Sequence, residues 1–234
     1  MIQKRRATWL SVLLVIPALL ALAGDKDGFQ DTFNVPADNF VSTGRNTYFI
    51  LEPGYQMTFE GKDGGKPAGL VITVLDDTKT VDGVETRVVE ERETKDGKVV
   101  EVSRNYFAID KTTGDAYYFG EEVDNYKDGK LVNHSGAWEA GKNGARYGLF
   151  MPAAPKVGQK FYQEIAPRVA MDRAQVVSVD EAVKVPAGSF KNCLKVEETT
   201  PLEPDAKEHK LYAPDVGLLS DGEMKLVKYG KKAK

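Results

Sequence analysis

The chain has 234 residues, with 32 Lys and Arg against 35 Asp and Glu, a formal net charge of −3 and a single cysteine. The acid excess leaves no field to draw in a nucleic-acid backbone, so nucleic acid is excluded as an expected partner. One thiol excludes an internal disulfide framework, and a core of this size needs none.

Residues 1–23 read as a secretory signal peptide. Lys4, Arg5 and Arg6 precede an uncharged apolar run from Ala7 to Leu22, and the small residues Ala21 and Ala23 come just before charge returns at Asp25. The run of about 16 residues is shorter than the roughly 20 that span a bilayer. Cleavage is expected between Ala23 and Gly24. No Cys follows for lipid attachment, so the processed chain has no stable membrane anchor and is expected in the periplasm or secreted.

Residues 24–46 are predicted as an irregular lead-in whose Phe29, Phe33 and Phe40 dock on the folded domain, and residues 47–230 as that single β domain. Runs rich in β-branched and aromatic residues predict strands at Tyr55 to Glu60, Gly69 to Asp76, Val84 to Thr94, Lys98 to Asp110, Ala116 to Tyr126 and Lys130 to Trp138. Asp82-Gly83, Asp96-Gly97, Thr113-Gly114 and Asp128-Gly129 separate them. Asp-Gly suits the two positive-φ positions of a type I′ turn, so successive runs should pair antiparallel.

With Asp96 and Gly97 as the loop, Arg92 is expected opposite Glu101 and Val89 opposite Arg104. Glu85, Arg87, Glu90, Glu91, Arg92 and Glu93 fall on both faces of one strand, which predicts a stretch beyond the core or a sheet with one wet face. Tyr147 to Gly158, broken by Pro and Gly, reads as a long loop exposing Phe150 and Met151. Strands resume at Gln159 to Ile165, Ala174 to Val185, Cys193 to Thr200, Glu208 to Ala213 and Glu223 to Tyr229, with a short helical turn expected near Ala166 to Arg173. The fold class is all-β: a long antiparallel meander curling into a half-barrel or open barrel.

Catalytic signatures are missing from the sequence. There is no Gly-x-Ser-x-Gly elbow, no His-Glu-x-x-His, no Cys-x-x-Cys and no phosphate loop, and His134 and His209 have no triad spacing. Asp124 to Gly129 begins like a calcium loop but has Tyr126 at the third position and Ser135 at the twelfth. Cys193 lacks an activating base nearby and reads as a small residue packed on a strand. No catalytic residue, cofactor or metal is assigned. The weak cation candidates are Glu121, Glu164 and Asp172, beside Glu122 and Asp124.

Val185-Pro186-Ala187-Gly188-Ser189-Phe190, followed by Tyr212-Ala213-Pro214-Asp215-Val216-Gly217-Leu218, resembles a signature of exported bacterial β-sheet proteins, VPAG-x-F then YAP-x-VGL. The chain is thus similar to TapB-like domains and, remotely, to the half-barrel lipoprotein carriers of the periplasm, over about residues 70 to 229. Asp215 stands where most of that group carry Gly. The resemblance implies the fold and the compartment but no activity.

The expected function is a non-enzymatic periplasmic or secreted binding or carrier protein, whose concave sheet face takes an apolar or amphipathic small molecule or lipid. Trp138, Tyr147, Phe150, Met151 and Phe161 are its predicted ligand-binding residues, since aromatics and Met give adaptable apolar contact. Two alternatives stand beside it. One is a hydrolase of envelope polysaccharide using Glu121 and Glu164, and the other a module that pairs through a sheet edge.

Overall fold

The computed structural model describes residues 27–232; the expected signal segment, residues 1–23, lies outside them. Among the described residues, one 3-10 turn, Ala37–Asn39, precedes eighteen strands. The first three are short: β1 (Phe40–Val41), β2 (Gly44–Asn46) and β3 (Phe49–Leu51). The long meander comes next as β4 (Tyr55–Asp63), β5 (Lys66–Val81), β6 (Val84–Lys95), β7 (Lys98–Asp110) and β8 (Ala116–Lys127). Beyond it lie β9 (Lys130–Asn133), β10 (Trp138–Glu139), β11 (Arg146–Met151), β12 (Lys160–Tyr162) and β13 (Glu164–Ile165). The chain ends in β14 (Arg173–Val185), β15 (Gly188–Thr200), β16 (Glu203–Ala213), β17 (Gly217–Asp221) and β18 (Met224–Lys231).

Antiparallel pairing runs β12-β14-β15-β16-β17-β18-β4-β5-β6-β7-β8-β11-β13. The two ends of this path, β12 and β13, are neighbours in sequence. The sheet therefore curls almost fully round, leaving one unsealed seam where β11 and β13 face β12. Long twisted strands favour such closure, because it leaves little unpaired edge.

The Asp-Gly turns explain the meander. Asp82 and Gly83 take φ 48° and 79°, Asp96 and Gly97 51° and 72°, and Asp128 and Gly129 51° and 76°, the two positive values a type I′ turn requires. The register departs from the sequence expectation within three residues of the second turn. Lys95 faces Lys98 and Thr94 faces Val99, but an irregularity between Glu93 and Thr94 then sets Glu93 opposite Glu101 and Glu90 opposite Arg104. Arg92 consequently faces Val102. One extra residue in a ladder shifts every later pair.

The predicted long loop at Tyr147 to Gly158 is shorter than expected, because β11 continues through Met151 beside β8. The expected helical turn near Ala166 to Arg173 is a non-helical turn closed by an Ala166–Ala170 bridge.

The hairpin of β2 and β3 closes one end of the barrel. Asn46 donates to the carbonyls of Gly114 and Met151 at 2.9 and 3.0 Å, and the Asp215 amide donates to Thr47 O at 2.9 Å, tying the hairpin to three connections at that end. Asp215 sits at φ 61°, a left-handed conformation that glycine adopts without steric cost. The lead-in docks by its aromatics: Phe29 on Tyr162, Phe33 on Tyr117, and Phe40 on Tyr117, Phe119 and Tyr147. Gln30 also bridges to β12, its amide donating to Lys160 O at 3.1 Å. Cys193 is a free, fully buried thiol, and burial raises its pKa, which keeps it protonated.

Candidate functional site

Side chains alternate along a strand, so every second residue of β6, β7, β8, β15 and β16 faces the barrel interior. Read from the Asp96-Gly97 turn inward, β7 presents Glu101, Ser103, Asn105 and Phe107, while β6 presents Glu93, Glu91 and Val89. On β16 the series is Glu208, Lys210, Tyr212. Acidic residues thus sit toward one end of the interior, and apolar and aromatic residues toward the end capped by β2 and β3.

Two adjoining cavities result from this gradient. The polar one, about 260 Å³, has Glu91, Glu101, Glu121, Glu164, Asp172 and Glu198 among its walls, with Ser103, Asn105, Gln163 and Lys210. The apolar one, about 100 Å³, has a floor of Phe49, Met57, Leu70, Ile72, Val89 and Leu218. Glu91, Phe107, Phe150 and Lys210 border both, so the two cavities adjoin across these four side chains. A shallower recess lined by Asp172, Thr200, Lys207 and Glu208 meets them at Lys210.

Lys210 is the ammonium of this interior. It pairs with Glu198 at 2.8 Å and lies 3.5 Å from Asp221. Burial favours its neutral form, but the two carboxylates outweigh that and hold it charged, with its pKa well above the usual lysine range. The acids opposite are less compensated. Burial, opposed in part by Lys210 and reinforced by Glu93, Asp221 and Glu101, pushes Glu91 up to about 7. Burial and the charges of Glu91 and Glu101 push Glu121 up to about 7 as well. Glu164 is driven well above the ordinary carboxylate range by burial and by Asp172, although it accepts the Asp172 amide at 3.1 Å. The Tyr118 hydroxyl donates to Asn105 Oδ1 at 2.5 Å, and Asn105 donates on to Ser103 at 3.1 Å.

These shifts make stability depend on pH. The folded chain keeps protons on Glu91, Glu121 and Glu164 that an unfolded chain would release near pH 4.5. Stability contributed by these groups is greatest below that pH and is lost as pH rises through about 7. After discounting for solvent in the open cavity, the loss between pH 5 and 8 is expected to be about 2 kcal/mol. Urea unfolding at the two pH values checks it, and Glu91→Gln with Glu121→Gln should flatten the dependence.

The predicted site residues are dispersed. Phe150 lines both cavities and packs against Phe49 and Phe107 with ring centroids 5.0 and 4.8 Å away. Met151 and Phe161 are packed in the core at 1% exposure each. Tyr147 stacks on Phe119 at 4.8 Å and donates its hydroxyl to Phe33 O at 2.8 Å, so it anchors the lead-in. Trp138 is buried opposite Glu121 and edge-on to Tyr118, and its indole N–H has no acceptor.

The carboxylate candidates separate by face. Glu121, Glu164 and Asp172 come together in the polar cavity, whereas Glu122 pairs with Lys79 at 2.8 Å and Asp124 with Arg104 at 3.3 Å. Among the described residues, no group of three or more His, Cys, Asp or Glu could hold a metal ion. Sequence reasoning missed Lys210, Glu91, Glu101 and Glu198. The signal for Glu91, Glu101 and Lys210 is the period-two series Glu91-x-Glu93, Glu101-x-Ser103-x-Asn105-x-Phe107 and Glu208-x-Lys210-x-Tyr212. No family model, curated protein or solved structure matches the chain.

Proposed function

We propose that this is a non-enzymatic exported binding or carrier protein, periplasmic or secreted, whose barrel interior takes an apolar or amphipathic small molecule or lipid. The supporting observation is that an apolar floor adjoins a carboxylate throat, with Glu91, Phe107, Phe150 and Lys210 lining both. Ligand sites combine apolar walls with placed polar groups in a concave space, and this interior has both. The signal-like residues 1–23 and the resemblance to exported half-barrel proteins support the compartment.

The test separates Phe150 from its neighbour. An apolar dye such as N-phenyl-1-naphthylamine is expected to bind the folded protein saturably, and Phe150→Ala to weaken binding about tenfold, the equivalent of about 1.4 kcal/mol. Met151→Ala should instead cost about 2 kcal/mol of stability and leave dye affinity within about twofold. A folded protein that binds no dye, or equal binding by both variants, contradicts the proposal.

A second reading, the polysaccharide hydrolase, draws on the presence of Glu121 and Glu164 in the same cavity. Its test is release of reducing sugar from envelope polysaccharide, abolished by Glu121→Gln. The carrier reading expects no such release.

A further inference from the structure

We infer that the ligand of this cavity is a cationic amphiphile, an organic ammonium group on an apolar tail. The inference rests on the carrier reading above and names the chemistry of the occupant. The apolar floor, bounded by Phe49, Ile72 and Leu218, suits a tail, and the head must then lie among the groups of the throat. Those groups come from several strands: Glu91 and Glu93 on β6, Glu101 on β7, Glu121 on β8, Glu164 on β13, Asp172 before β14, Glu198 on β15, and Asp221 ending β17. The facing ammonium, Lys210, is already shared between Glu198 and Asp221.

A carboxylate or phosphate head would therefore enter a negative field, and the cation nearest to it is already paired. An ammonium head enters the same field favourably and replaces the protons that Glu91 and Glu121 otherwise retain. An unmet polar atom also points to a donor-bearing occupant. Glu198, which lines the throat, gives Lys210 one oxygen, while its Oε1 is shielded from solvent and accepts no hydrogen bond, on a side chain 11% exposed. Buried polar atoms are ordinarily satisfied, so an N–H donor at Glu198 is what the throat lacks.

Dye displacement below the micelle threshold decides the matter, with dodecylamine, dodecanol and dodecanoate as probes at pH 8. Dodecylamine should displace the dye at a concentration at least about tenfold lower than dodecanoate, an equivalent of about 1.4 kcal/mol. Glu91→Gln combined with Glu121→Gln should reduce the preference for dodecylamine over dodecanoate at least about threefold. Equal displacement by all three probes, or a preference untouched by the substitutions, overturns the ammonium assignment and leaves the carrier reading standing. A protein that never binds the dye overturns both.

Discussion

Gly148→Ala is expected to cost about 4 kcal/mol of stability, as an overpacked contact that main chain cannot relieve. Gly148 lies on β11 at the seam, and a Cβ there would stand 2.6 Å from the carbonyl oxygen of Tyr162 and closer still to that of Gln163. Both are backbone atoms, so the strands themselves must part, loosening the Arg146–Ile165 and Tyr147–Glu164 pairs that join β11 to β13. Gly129→Ala is the control. Its φ of 76° is unfavourable for alanine, but nothing lies within 4 Å of the added carbon, so its cost is about 1 kcal/mol. Chemical denaturation of the two variants reads the difference. Equal losses would mean that the seam tolerates a wider gap than the observed closure.

Lys210→Met is expected to lose about 3 kcal/mol at pH 8, because it leaves Glu198 and Asp221 beside each other without their ammonium. The loss should shrink at pH 5. Without Lys210, Glu91 and Asp172 lose a charge that opposes the rise of their pKa, so the variant takes up more protons on folding and its stability falls further as pH rises. A deficit that is the same at both pH values would show that Lys210 contributes by packing its alkyl stem rather than by its charge.

The turns at Asp82-Gly83, Asp96-Gly97 and Asp128-Gly129 were readable from the residues because Asp-Gly suits a local conformation, and these three adopt it. The register beyond Asp96-Gly97 was not, since the irregularity at Glu93 and Thr94 is set by how the whole sheet curls. Gly148 misled for a related reason: it reads as a loop-former, yet it serves the close approach of two strands.

The carboxylates of the interior were hidden by a simple ambiguity. In a barrel with a polar cavity, charge on both faces of β6 no longer tells inside from outside, so Glu91 looked as solvated as Glu90. Among the aromatics, Tyr147 and Phe161 went to holding the lead-in and the seam, where burial rather than ligand contact accounts for them.

The central claim, that the barrel interior is a ligand cavity, is tested most directly by an amide chemical-shift titration of the isotope-labelled protein with dodecylamine. Saturating shifts are expected at Glu91, Phe107, Phe150 and Lys210, the inward positions shared by the floor and the throat, and at Tyr212 of the floor. Shifts confined to outward residues such as Glu90, Arg92 and Arg104, or no saturable shift at all, would contradict it.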